Sequence, residues 1–301
     1  MKVLITGAAG FIGSHTADYL IAKRMKVLAL DNFSTGKTEN LKEFRGSIEL
    51  CDVTDINMLE VVFNKFRPDS VIHLAAQSAI TTAWSDPEKD MKVNIEGTVN
   101  IINMCRKYEV KKLVFSSTAA VYGKSGFFAS NEKHTCNPDT PYGISKMSAE
   151  QYIRLLFPNH VILRYANIYG PRQVPVGENQ LVARALSHLI KGDSFQVVGD
   201  GKQKRDFVFV GDVAHANYLA LTGSKFGTFN IASGKSHAVN DVLWEIEDYY
   251  DVPYQWSHTK KNDERGNVYM NGNKFKDKFG WSPVIDLQSG IDLTIKWWEK
   301  K

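Results

Sequence analysis

The stretch Thr6-Gly-Ala-Ala-Gly-Phe-Ile-Gly13 constrains this chain more than any other feature. It follows the apolar run Lys2–Thr6. It precedes Phe11–Lys23, where Phe11, Ile12, Ala17, Leu20 and Ile21 recur at helical spacing. A strand, a glycine turn and a helix in that order open a parallel α/β sheet. Each glycine has its own task. Gly7 permits a sharp exit from the strand, Gly10 lets the backbone approach a pyrophosphate, and Gly13 lets the helix pack closely on the strand. The helix N-terminus, which begins at Phe11 and Ile12, offers N–H groups and a positive dipole end to phosphates. In this context the motif specifies a dinucleotide site.

The expected second strand, Lys26–Leu30, runs into Asp31. A carboxylate there accepts hydrogen bonds from the adenosine ribose and repels a 2′-phosphate. Neither Asn32 nor Phe33 is basic, so NAD is expected rather than NADP. Further strands are expected at Ser47–Cys51, Ser70–Leu74, Lys112–Ser116 and His160–Tyr165. Helices are expected near Asp55–Phe66, Asp90–Lys107 and Tyr142–Leu156. This alternation predicts an α/β fold with a doubly wound parallel sheet of the Rossmann type. After Gly170 the pattern is less regular, with a helix at Leu181–Lys191 and short strands at Phe195–Val198, Arg205–Val210 and Thr228–Ile231. Ala238–Tyr250 and Ser289–Lys300 read as closing helices, in which Trp297 and Trp298 serve packing.

Composition removes other classes. A net charge of +4 over 301 residues, without a basic stripe, argues against nucleic-acid binding. Cys51, Cys105 and Cys136 are well separated, which suits neither a disulfide framework nor a zinc site and fits a reducing compartment. The histidines show no metal-ligand spacing, so no metal is expected. No apolar run reaches membrane-spanning length. Met1–Thr6 already reads as a core strand and leaves no room for a signal peptide, so the expectation is cytoplasmic.

Tyr142 and Lys146 are spaced i, i+4 and share one helix face. A free phenol has a pKa of about 10. A neighbouring ammonium and a bound nicotinamide cation would stabilise the phenolate and bring Tyr142 toward acid/base range. Ser116, Ser117 and Thr118 close an expected strand, at the sheet edge where ligands of such folds bind. Some of them satisfy backbone groups at the strand exit. Thr118 is the candidate to orient a substrate oxygen. His73 is expected to bond locally, Glu132 to cap or orient a loop, and Asp206 and Asp212 to organise a turn.

With these residues in place, the chain resembles the extended short-chain dehydrogenase/reductases, and among them the UDP-glucose 4-epimerase-like enzymes. The resemblance runs from Met1 to about Trp298. It is carried by TGAAGFIG, Asp31-Asn32, Asp52-Val53, HLAAQ, Asn94-Ile95-Glu96-Gly97-Thr98, SSTAAVYG, Tyr142-Gly-Ile-Ser-Lys146, LRYANIYGPRQ and VVGDGKQKRDFVFVGDVAHA. It implies that Asp52 and Val53 hold the adenine. Leu74, Ala75, Ala76 and Gln77 would line the NAD pocket, with Asn94, Ser116 and Tyr165 also assigned to the cofactor. Thr118, Tyr142 and Lys146 match the catalytic triad. Asn167 matches a sugar-nucleotide contact, and Asn179 and Arg205 match positions that hold the diphosphate and nucleotide. The implied division is an NAD-binding domain over 1–169, joined by part of 206–240, and a smaller, mainly sugar-nucleotide-binding α/β lobe over 170–301. A homodimer is usual in the family.

The resemblance also implies a reaction. Tyr142 takes the proton of the sugar 4-hydroxyl while C4 gives hydride to NAD; the 4-keto sugar turns and is reduced on its other face. Related 4,6-dehydratases carry Asp-Glu after the catalytic Thr, and related decarboxylases carry Glu there. This chain has Ala119 and Ala120, which transfer no proton. UDP-hexose 4-epimerisation is therefore the expectation. UDP-glucuronate 4-epimerisation and CDP-sugar 2-epimerisation are alternatives. A non-enzymatic NAD-binding sensor is disfavoured because Tyr142 and Lys146 are both present. Near the C-terminus the family pattern departs: either Lys261 or Arg265 takes the role of a diphosphate-binding Arg, and Arg265 is preferred because a guanidinium fork suits phosphate. An ungapped alignment places Val268 beside the sugar C2, with room for an N-acetyl group.

Overall fold

The computed structural model describes residues 1–124, 129–175, 180–250, 256–259 and 266–300. The first half alternates as expected: β1 (Lys2–Thr6), α1 (Phe11–Ala22), β2 (Lys26–Asp31), β3 (Ser47–Leu50), α2 (Ile56–Phe66), β4 (Ser70–His73), α3 (Ile80–Ser85), α4 (Pro87–Met91), α5 (Gly97–Lys107), β5 (Lys112–Thr118), α6 (Pro141–Leu156) and β6 (His160–Tyr165). Then follow β7 (Asn167–Tyr169), α7 (Leu181–Lys191), β8 (Phe195–Val198), β9 (Lys204–Arg205), β10 (Phe207–Phe209), α8 (Val210–Thr222), β11 (Gly227–Ile231), β12 (His237–Ala238), α9 (Val239–Tyr250), β13 (Trp256–Thr259), α10 (Asn273–Phe279) and α11 (Leu287–Trp298).

One seven-stranded sheet has the order β11-β6-β5-β4-β1-β2-β3, with every pair parallel. Side chains alternate across it. Val3, Ile5, Val161 and Leu163 face a core closed by Leu20 of α1 and Val213 and Ala216 of α8. Leu4, Val71, Leu113 and Phe115 face the other, closed by Leu59 of α2, Ile101 of α5 and Ile153 of α6. Both faces are covered, which is why the strands read as unbroken apolar runs. The chain winds from β1 outward to β3 and then crosses to β4. The β1/β4 boundary is thus the topological switch point, where ligands of open α/β sheets bind.

Among the described residues, three pairs of short strands lie outside this sheet: β7 with β10, β9 with β12, and β8 with β13. They pack with α7, α9 and α11 around Tyr169, Leu186, Phe195, Val242, Ile246 and Ile291. Trp298 packs against that cluster.

Three departures from the sequence reading shape the site and its surroundings. The helix expected over Asp90–Lys107 is broken by a π-helical turn, Lys92–Glu96. The strand expected over Arg205–Val210 is two strands that pair with different partners. Between them the buried Asp206 turns the chain, its carbonyl accepting from the Asn167 amide and its carboxylate from the Ser233 and Gly234 amides. The third departure is α8, buried on the sheet, which the sequence reading did not anticipate. Its run of alanines and leucines is the signal that would have marked it.

Candidate active site

The site lies at the C-terminal edge of β1, β4 and β5. Gly7 leaves β1 with φ +67°, and a Cβ there would fall 2.6 Å from the Ala75 nitrogen. Only glycine lets the turn lie this close to the β4 exit. A Cβ at Gly13 would collide with the Gly7 carbonyl. Gly10 precedes α1 without a side-chain cap, so the first N–H groups, from Phe11, Ile12 and Gly13, are directed into the crevice.

Asp31, at the end of β2, is buried and accepts from the Ala9 and Phe33 amides, both at 2.8 Å. Burial raises its pKa, against these amide bonds and one from Asn32. Asp31 thus ties the glycine turn to the following loop. Asn32 donates to Asp52 at 2.6 Å and accepts from the Ser34 amide. Burial opposes the charge on Asp52, but bonds from Thr54 and Asn32 outweigh it and hold its carboxyl below the usual range. The Val53 side chain packs into the core beside Gly97, so the chain presents backbone there.

Leu74, Ala75, Ala76 and Gln77 leave β4 half-buried around Gly7. The Thr6 hydroxyl meets His73 Nδ1 at 2.6 Å and accepts from the Ala75 amide, while His73 Nε2 meets the Thr98 hydroxyl at 3.1 Å. Burial pushes His73 down to about 3. The local bonding expected of His73 is what the fold shows.

Thr140 caps α6 by accepting from Gly143 N, and Pro141 opens the helix. That cap fixes Tyr142 in the first turn and Lys146 one turn later. Thr118 ends β5, where its Oγ1 accepts from the Ala120 amide at 3.2 Å. Its hydroxyl lies beside the Tyr142 phenol and favours the phenolate. Burial nevertheless pushes Tyr142 up to about 12. Desolvation outweighs the effect of Thr118, and Asp90 works against the phenolate as well. Burial also takes Lys146 down to about 7, against Glu150 and Asp90. Its ammonium sits 4.1 Å from the centre of the Phe115 ring.

Asn94 lies in the π-helical turn, where it accepts from the Gln77 amide and donates to the Gln77 carbonyl, Asp90 and Ser145. Ser116 is half-buried at the strand exit. Tyr165 is buried, and its hydroxyl is committed to Asn217 on α8 at 2.6 Å. Only its backbone reaches the edge of β6.

On the other side of the crevice, the Asn167 amide donates to the Asp206 carbonyl. Arg205 bridges Val268 and donates to the Gly266 carbonyl, so these two substrate candidates are neighbours. Asn179, Arg265 and the alternative Lys261 lie outside the described residues. Asp206 accepts from Ser233 and Gly234, Asp212 from Val284 and Ile285, and Glu132 from the Asn230 amide.

Three charged groups escaped the sequence reading. Glu150, fully buried, is bonded to Arg164, Arg154 and the Ser117 hydroxyl. It braces β5 immediately before Thr118. Asp90 is buried beside Tyr142 and Lys146. A charge inside an apolar run, as in H-V-I-L-R-Y, was the available signal for Arg164, since buried charges are paired.

A dinucleotide fits these residues. An uncapped helix N-terminus meets a turn too tight for side chains, and a buried carboxylate ends the neighbouring strand. The fold and site together define an NAD-binding enzyme of the extended short-chain dehydrogenase/reductase type. The chain belongs to the NAD-dependent epimerase/dehydratase family, whose pattern it matches over residues 3–232, and it is an NAD-dependent enzyme of that family. It is 38% identical to a putative UDP-glucose 4-epimerase of Methanocaldococcus jannaschii, over 98% of this chain and 97% of that protein. Its fold matches the UDP-glucose 4-epimerase of Thermotoga maritima, solved with UDP-glucose, with a TM-score of 0.93 and 37% identity over 100% and 99% of the two chains. The Thermus thermophilus UDP-glucose 4-epimerase, solved with NAD, matches with a TM-score of 0.93 and 36% identity over 99% of each chain. Among the described residues, no helix is long and apolar enough to cross a membrane, and no cluster of His, Cys, Asp and Glu could hold a metal ion.

Proposed function

We propose that this chain is a UDP-hexose 4-epimerase that interconverts UDP-glucose and UDP-galactose. The observation that carries this reading is Thr118 beside Tyr142 at the end of β5, followed by two alanines where an elimination would need an acid. Thr118 holds the sugar O4, and Tyr142 takes its proton and later returns it. Lys146 binds ribose hydroxyls of the cofactor and supplies positive charge beside the phenol. When bound, NAD supplies a hydride acceptor and donor for C4 and a cationic ring that opposes the burial-driven rise at Tyr142. The 4-keto sugar must present both faces, so it turns within the site before reduction. Ala119 and Ala120 remove no C5 proton, so the ketone goes back to an alcohol rather than on to dehydration.

Asn167, Arg205 and Val268 line the side assigned to the sugar nucleotide, with 170–301 forming most of that lobe and 1–169 the cofactor domain. Val268 is half-buried next to Arg205. If it stands beside the sugar C2, UDP-GlcNAc and UDP-GalNAc are substrates too. Ile144, Tyr152 and Leu155 on α6 are exposed, as are Trp84 and Met91 on the adjoining α3 and α4. This apolar face supports a homodimer, which sedimentation would read directly.

The test is incubation of the NAD-loaded protein with UDP-glucose, UDP-GlcNAc and UDP-glucuronate, with products followed by NMR. An equilibrating pair of C4 epimers without net NADH is the expected result. A 4-keto-6-deoxy product, or turnover of UDP-glucuronate alone, would overturn it.

A further inference from the structure

Asp90 lies in the last turn of α4, 1% exposed. Its Oδ1 accepts from the Gln77 amide at 2.9 Å and the Asn94 amide at 3.0 Å. Asn94 donates onward to the Ser145 hydroxyl at 3.1 Å, and Ser145 donates to the Tyr142 carbonyl at 3.0 Å. The π-helical turn at Lys92–Glu96 directs Asn94 inward between α4 and α6. A buried carboxylate is thus fixed through neutral amides to the first turn of the helix that carries Tyr142 and Lys146. These two bonds to Asp90 come from uncharged groups, so they orient its charge without cancelling it.

Among the described residues, few charges surround Asp90. On α6 they are Lys146 and Glu150, with the Tyr142 phenol. Glu150 is matched by Arg164 and Arg154. From β4, His73 is held neutral by burial. The adjoining α3, I-T-T-A-W-S, carries no titratable side chain, and β5 presents Phe115. Lys92 and Glu96 of the π-helical turn are exposed. Lys146 therefore feels the charges of Glu150, already matched by two arginines, and of Asp90, held only by neutral amides.

We propose that Asp90 is the fixed counter-charge of the site, a positioning residue that acts through Lys146 and Tyr142. Its negative charge offsets that of the Lys146 ammonium inside a dry pocket and holds the phenol neutral until a cation enters beside it. With Asp90 and Lys146 cancelling, a bound nicotinamide cation leaves one surplus positive charge, and ionisation of Tyr142 restores balance. Deprotonation is thereby coupled to the oxidised cofactor. The inference rests on the reading of Tyr142 as the acid/base.

The test is Asp90→Asn, which keeps an oxygen for both amide bonds and removes the charge. In the NAD-loaded protein the tyrosinate ultraviolet difference band is titrated, with Tyr142→Phe as the blank. The midpoint is expected to fall by about one unit relative to wild type, the scale of a nearby charge. The acid limb of the turnover profile moves with it. A merely structural Asp90 would lower stability and leave the midpoint in place. Where D90N does not fold, Asp90→Ser, which leaves space for water on the two amides, carries the same titration. An unmoved midpoint in a folded, NAD-loaded variant overturns the inference. The titration uses no sugar, so it is read even if no UDP-hexose is turned over. Intact turnover with an unmoved midpoint removes the role of Asp90 and leaves the reaction standing.

Discussion

Glu150 on α6 and Arg164 on β6 meet side by side, Nε to Oε1 at 2.9 Å and Nη2 to Oε2 at 2.6 Å, both closed from solvent. The Ser117 hydroxyl adds a third bond to Oε1 at 2.5 Å. The catalytic helix and the Thr118 strand are therefore locked together by a buried ion pair one residue from the chemistry. Removing one partner leaves an uncompensated charge and costs about 3 kcal/mol, whereas an apolar replacement of both costs less. Arg164→Met is expected to lower the urea midpoint sharply, and Glu150→Met/Arg164→Met to recover part of the loss. Equal midpoints for the single and double variants would contradict this.

Tyr142 and Thr118 act on different steps in the proposed reaction. Tyr142→Phe removes the proton acceptor and should lower kcat about 100- to 10,000-fold while NAD binding persists. Thr118→Val removes the hydroxyl that favours the phenolate. It should lower kcat less and move the acid limb of kcat to higher pH. Steady-state kinetics across pH, with NAD binding by calorimetry, separates the two.

Lys146 is costly to the apoprotein. Its folded pKa, pushed down to about 7 by burial, lies below the ordinary 10.5. Between those values the unfolded chain binds more protons, so this group's contribution to stability rises with pH over that window. Lys146→Met is expected to raise the apoprotein Tm at pH 7, by about 2–4 °C for each kcal/mol gained, to flatten the slope above pH 7, and to abolish turnover. Calorimetry at pH 7 and pH 9 reads the first two effects.

His73 acts at the acid end. Burial holds it neutral, with a folded pKa of about 3 against 6.5 in the open chain. Its contribution is complete above pH 6.5 and is lost as pH falls toward 3. His73→Asn should therefore weaken the protein at pH 7 through its Thr6 and Thr98 bonds, yet lose less further stability on acidification. Urea midpoints at pH 7 and pH 4.5 give both differences.

The elements whose chemistry is local were legible before any fold was known. Gly7, Gly10 and Gly13 sit within eight residues, and Tyr142 and Lys146 within one helical turn, so spacing alone places each set. The π-helical turn was not legible, because nothing in Lys92–Glu96 marks it. Its form follows from the bonds Asn94 makes to Gln77, Asp90 and Ser145. Asp90 only marks the start of the expected helix Asp90–Lys107, and its burial depends on α6 packing 50 residues further on. The single strand read over Arg205–Val210 failed for a similar reason. Asp206 is drawn to the amides of Ser233 and Gly234, which no local pattern reveals.

The sequence by itself determined a parallel α/β sheet with a dinucleotide turn, an acidic residue closing the second strand, and a Tyr–Lys pair on one helix face. These follow from backbone geometry within single elements. Only the tertiary structure decided that Tyr142 meets Thr118, and that burial sends the phenol up to about 12 and the ammonium down to about 7. Desolvation is the sum of everything packed around a group, and most of what surrounds these two comes from distant parts of the chain.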